Sequence, residues 1–193
     1  MSEKKLLAIN INEFNLKFLI NGAKKYNCSH IKKILKLKKV NTYSVDKIQD
    51  KNLDPWVQNV SINSGKRSSV HRIFNLGQQV PNNINQIWDY LSKNKIKCGV
   101  WGPMNTNFKN NKNIEIFFPD PWNQKSITKP LRLNKIYNLC EAYAKNYTDF
   151  KLLKNVKYFF QFFLFLLRPN YIIDILRLSP TIFRFLIKNG IKN

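Results

Sequence analysis

Few side chains in this 193-residue sequence could carry covalent or metal chemistry, and they gather toward its amino-terminal half. Asn12 and Glu13 follow a short apolar run, and either could offer an oxygen to a hard cation, the neutral amide being the poorer ligand. Capping the helix that follows is the competing role. Asp54 precedes Pro55, a placement that suits a helix N-cap or an Asx-turn. Ser61 carries a hydroxyl but falls inside a predicted helix, where packing is its expected role. Two histidines, His30 and His71, are too few for a three-histidine metal site. Asp149 and Asp174 stand in helical context and are expected to face solvent. Cys28, Cys98 and Cys140 are an odd number with no close pair, which suits buried thiols in a reducing, cytoplasmic compartment.

The elements that must position these groups can be read from hydrophobic spacing. Residues 6–11 form an apolar run of the kind found in an inner strand of a parallel sheet, with Asn12 and Glu13 at its carboxyl end. Phe14, Phe18, Leu19 and Ala23 are spaced as one face of a helix over 14–26, and a second helix is expected over 29–38 with Ser29 as N-cap. Residues 40–45 are β-branched and aromatic and predict a second strand. A polar loop leads to Pro55 and a helix over 56–64 that ends at Gly65. Ile84, Ile87, Trp88 and Leu91 mark a helix over 82–95, followed at once by a strand over 96–101 that stops at Gly102-Pro103. Residues 114–118 are a further strand, and from Leu131 onward the pattern is helical, with breaks at Pro169 and Pro180. Helix alternating with strand predicts an α/β fold with a mostly parallel sheet flanked by helices. That domain would cover residues 1–130, with a helical segment over 131–193 belonging to it or capping it.

The stretch from Asp54 to Ile73 joins a predicted short helix ending in Ser64-Gly65 to His71, six residues beyond the glycine. In this it resembles the alkaline phosphatase superfamily, in its phosphodiesterase, nucleotide pyrophosphatase and sulfatase-like branches. There a helix after the nucleophile ends in Thr-Gly or Ser-Gly, and a His-Gly-Ile triplet follows at that spacing. The family's acidic metal site at the end of an amino-terminal strand is matched in position by Asn12 and Glu13. Its next helix and strand are matched by Ile87, Trp88, Leu91, Lys97, Gly99 and Val100. The likeness covers roughly residues 5–105.

The resemblance implies one or two divalent cations, zinc or manganese, that polarise a phosphoryl or sulfuryl oxygen, and a phosphate or sulfate ester as substrate. It implies metal contacts at Asn12 and Glu13. With a one-residue shift, it makes Asp54 a metal ligand or a carboxylate nucleophile. It sets Asn75 one place from an asparagine that holds a phosphate oxygen, and it gives Gly65 and His71 structural roles. Ligands of open parallel sheets bind beyond the carboxyl ends of the strands, which is where Asn12, Glu13 and the Asp54 loop would fall.

The chain also departs from the family. Counting back from Gly65, the Thr or Ser nucleophile falls on Pro55; the triplet reads His71-Arg72-Ile73; and the strand-end aspartate has become Asn12. The family's remaining Asp and His ligands lie in a longer carboxyl half. The expectation is a truncated or degenerate ester hydrolase, alkaline phosphatase-like and inactive alone, whose sheet a missing carboxyl-terminal half or a partner would cover.

Charge opens a second class. Thirty-three Lys and Arg against eleven Asp and Glu give a formal +22, which favours polyanionic partners or an anionic membrane surface. The surplus is spread along the chain with Asn and Ile, as a compositional drift would spread it. The densest run, residues 31–39, places Ile31, Ile34 and Leu35 on one side of a helix and its lysines on the rest, as in a solvated amphipathic helix. Residues 158–167 are the most apolar stretch, at roughly half the ~20 residues of a membrane span, and suit a buried or interfacial helix.

Overall fold

In the computed structural model, the described residues are 5–12, 14–46, 53–123, 127–148, 155–167, 171–173, 176–177, 179–180 and 184. Glu13, Asp149, Pro169 and Asp174 lie outside them. Helix α1 (Leu16–Lys25) starts where Asn15 Oδ1 accepts the Phe18 N–H at 3.0 Å, and Lys24 and Lys25 close it at the negative end of the helix dipole. Asn27, at φ 49, turns the chain into α2 (Ser29–Leu35). Ser29 is the first helical residue and not the cap, a position taken by Cys28. The two helices pack on each other, and Ala23 is buried.

The two amino-terminal strands expected from the sequence do not form. Residues 6–11 and 40–45 are irregular, and their apolar side chains are exposed, Leu6 at 93% and Tyr43 at 87%. A β-branched or apolar run becomes a strand only when a neighbour pairs with its backbone and a face is buried, and neither condition is met here.

Residues 53–123 carry most of the buried residues among those described. Helix α3 (Pro55–Ser64) begins with a proline at its first position, where no N–H is needed. It ends at Gly65, whose N–H donates to the Ser61 carbonyl at 2.9 Å and whose φ of 65 turns the chain out of the helix. A single turn, α4 (Ser68–His71), follows. Helix α5 (Ile87–Lys93) opens on a capping box between Gln86 and Asp89, with the Gln86 N–H donating to Asp89 Oδ2 at 2.9 Å. It is shorter than the 82–95 expected because residues 82–84 are held in a turn closed by Ile84 N–H on the Pro81 carbonyl at 3.0 Å.

Strands β1 (Cys98–Trp101) and β2 (Ile114–Phe118) pair in parallel, with Val100 opposite Phe117 and Trp101 opposite Phe118. They are the only strands among the described residues, so the fold is mixed helix and strand around a small parallel sheet. Two apolar clusters support it. Val60, Ile73, Val80 and Ile84 sit under α3, while Trp88, Ile114 and Phe117 join α5 to the sheet with Cys98, Val100 and Phe108 at their margin. Asp89 is buried beside them and is held by the Asn111 amide at 2.7 Å and the Lys109 ammonium at 3.3 Å.

A 3₁₀ turn (Leu131–Leu133) leads into α6 (Asn134–Lys145), whose Tyr137 meets Phe118 edge-on at 5.5 Å. Helix α7 (Val156–Leu166) packs on α6. Among the described residues no helix is long and apolar enough to cross a membrane.

Candidate functional site at the carboxyl edge of the sheet

The carboxyl ends of β1 and β2 release two loops that run together. Gly102, at φ 69, donates its N–H to the Phe118 carbonyl at 2.7 Å, and the Pro103 carbonyl accepts the Asp120 N–H at 3.2 Å. From there the β1 loop meets α3, where the Met104 N–H reaches Asn59 Oδ1 at 3.2 Å. Asn105 follows in the left-handed region, at φ 47, which Asn tolerates better than most residues. It is 1% exposed and uses both ends of its amide. Oδ1 accepts the Gly77 N–H at 2.7 Å, and Nδ2 donates to the Asn75 carbonyl at 2.8 Å, with the Trp56 carbonyl at 3.5 Å. One side chain thereby ties the first turn of α3 and the 72–80 loop to the exit of β1.

A second cross-link closes the other side. Thr106 N–H donates to Asn123 Oδ1 at 3.0 Å, and Asn123 Nδ2 returns a bond to the Thr106 carbonyl at 2.8 Å. The Thr106 hydroxyl donates to Gln86 Oε1 at 2.9 Å, and the Tyr137 hydroxyl donates to the Asp120 carbonyl at 3.1 Å. The half-buried Asp120 carboxyl is pushed up from the usual range by burial, partly offset by the Trp122 N–H it accepts at 2.9 Å.

Asp54 and Asn75 both border this rim. Asp54 occupies the N-cap position of α3, half-buried, and its carbonyl accepts the Val57 and Gln58 N–H groups at 2.9 and 3.0 Å; its carboxylate makes no capping bond. Asn75 is exposed, and its backbone is held by Asn105 and by Gln78 Oε1 at 3.3 Å. Asn12 is an exposed residue of the irregular 5–12 segment, and no hydrogen bond among the described residues links it to the rim. Gly65 closes the far end of α3.

His71 is wholly buried, and its bonding fixes its proton. Nδ1 accepts the Ile73 N–H at 3.0 Å, so in the neutral ring Nε2 carries the hydrogen and donates it to Ser61 Oγ at 3.0 Å. The Ser61 hydroxyl in turn donates to the Val57 carbonyl at 3.4 Å. A general base needs a bare nitrogen facing the hydroxyl, so this pair is oriented against nucleophilic use. Burial lowers the His71 pKa, and the nearby Asp46 charge opposes that in part. Asp46 itself accepts the Ser68 hydroxyl at 2.7 Å and the Gln58 amide at 3.3 Å, pinning α3 to α4.

The three cysteines are unbridged and half-buried, not fully buried as expected. Burial raises the Cys98 and Cys140 thiols, and Asp89 and Glu115 raise Cys98 further, which disfavours the reactive thiolate. Among the described residues no three His, Cys, Asp or Glu side chains stand together, so they do not assemble the donor set of a catalytic zinc. Asn105, Asp120 and the Thr106–Asn123 pair were not singled out from the sequence. Applying the carboxyl-end rule to strands 96–101 and 114–118, which both stop at proline-bearing turns, would have found them. Comparison with known proteins finds no matching family, no matching curated protein and no matching solved structure.

Proposed function

We propose that the rim is the ligand edge of a fold descended from alkaline phosphatase-type hydrolases, binding a phosphate or sulfate ester without turning it over. The observation that carries this reading is Asn105, which gathers the Asp54 end of α3 and the Asn75 loop at the carboxyl edge of a parallel strand pair. Ligands of open parallel sheets bind at that edge. The amino end of α3 borders it, and helix amino ends favour anions. Turnover is not expected because Pro55 stands at the nucleophile position and has no hydroxyl, while Ser61 is committed to His71 and Val57.

The test is equilibrium dialysis of labelled inorganic phosphate in high salt, which removes loose attraction to surface lysines, alongside assays with nitrophenyl phosphate, bis-nitrophenyl phosphate and nitrophenyl sulfate. Saturable phosphate binding is expected, weakened about tenfold, or ~1.4 kcal/mol, by Asn75→Ala. Nitrophenol release is expected to stay at background with or without zinc or manganese. Absence of saturable binding overturns the ligand edge, and robust turnover abolished by Asp54→Ala overturns its inactivity.

A further inference from the structure

We infer that the outward face of α7 is an interfacial docking face for an anionic lipid surface. Val156, Phe160, Phe163, Leu164 and Leu167 are all exposed, Phe160 at 60% and Phe163 at 56%. Their spacing of four, three, one and three residues lays them along one side of a helix. On the inner side Phe165 is buried and stacks on Tyr171 at 5.0 Å between ring centres. A helix with one apolar side seated on α6 and a second apolar side open to water has an unmet need for cover.

The charge of the sequence that carries it argues for the kind of cover. Helix α7 holds no carboxylate, and its one charged residue is the exposed Lys157. Over residues 146–193 the sequence has eight lysines and arginines against two aspartates, a net of +6. Apolar side chains within a basic segment complement a surface that is anionic at its headgroups and apolar below them. A second copy of this chain would bring like charge against like charge. Eleven residues at ~1.5 Å each give a helix about 16 Å long, near half of a ~30 Å hydrocarbon core, so the geometry suits lying in the interface and not spanning it. Helix α7 shares no residue with the rim.

Flotation of the whole chain with vesicles tests it. Co-flotation is expected with phosphatidylglycerol-containing vesicles and not with pure phosphatidylcholine. Added salt should weaken it, and the double variant Phe160→Ser, Phe163→Ser should reduce it at least tenfold. Both positions are exposed, so the variant is expected to keep the circular dichroism spectrum and urea midpoint of the parent. Failure to float, or flotation unchanged in the double variant, overturns the proposal. So does a dimer in sedimentation equilibrium that the same variant dissociates, or RNA binding that the variant abolishes while flotation persists.

Discussion

Asparagine is abundant both in the amino-terminal segment, residues 5–46, and in residues 53–123, yet the two regions use it in opposite ways. In the first, Asn15 caps α1 and Asn27 turns the chain and accepts Lys32 Nζ at 2.6 Å, all at the surface; Ala23 is the one buried residue among those described. In the second, Asn59, Asn105, Asn107, Asn111, Asn113 and Asn123 bridge segments far apart in the chain. Composition is shared, and burial is what differs: Asn105 and Asn123 are buried and the other four half-buried. A side-chain amide in water exchanges one set of hydrogen bonds for another at little net gain, whereas a buried one that loses its partner costs ~1–3 kcal/mol.

The sharpest way to break the contrast is to remove a buried charge. Asp89→Ala removes the carboxylate facing the largely buried Lys109 ammonium, which keeps the Ile84 carbonyl at 2.6 Å and Asn85 Oδ1 at 3.1 Å, and it strands the Gln86 N–H and the Asn111 amide; a loss of about 3–5 kcal/mol is expected in urea unfolding. Leu7→Ala, in the exposed segment, should stay within ~0.5 kcal/mol. If the two variants cost the same, the regions do not differ as described. Next in size is Asn105→Ala, expected to cost about 2–4 kcal/mol because it strands the Gly77 N–H and the Asn75 carbonyl and strains a left-handed backbone. Asn105→Gly relieves the strain alone, so it should recover about 1 kcal/mol of that loss.

A pH series sharpens the comparison further. The unfolded His71 ring titrates near 6.5 and the folded one lower, so protons bind preferentially to the unfolded chain. The stability is therefore fully present above about pH 6.5 and falls as pH drops below it, by at most ~1.4 kcal/mol per pH unit. Urea midpoints on either side of that value should show the slope, and His71→Asn should flatten it while lowering stability throughout. The smallest effect is expected from Asp120→Asn. The folded carboxyl titrates above its ordinary value, so its ionisation favours unfolding as pH rises past the unfolded value. The amide keeps an oxygen for the Trp122 N–H, and a slight gain at neutral pH is the expected result.

Much of the middle region was legible because its signals are local. The 114–118 strand, the end of α3 at Gly65 and the strand ending at Gly102 follow from periodicity and turn chemistry. The strands expected at 6–11 and 40–45 were misread because an apolar run states a preference that only a pairing partner can satisfy, and sequence does not name the partner. The sequence reading set Asp54 with Asn12 and Glu13 at the strand ends, and the resemblance put Asn75 beside a phosphate-holding position, but the residue joining the Asp54 and Asn75 segments, Asn105, looked like one more asparagine in a loop. Its role depends on contacts 28 to 49 residues away in the chain.

The most direct test of the rim as a ligand edge is an amide chemical-shift titration of the isotope-labelled chain with inorganic phosphate in high salt. Saturable shifts are predicted at Trp56, Asn75, Gly77, Asn105 and Trp122, with the amides of α1 and α2 unmoved and the response lost in Asn105→Ala under conditions where it remains folded. Shifts spread evenly over the lysine-bearing helices, or none at the rim, would contradict the account.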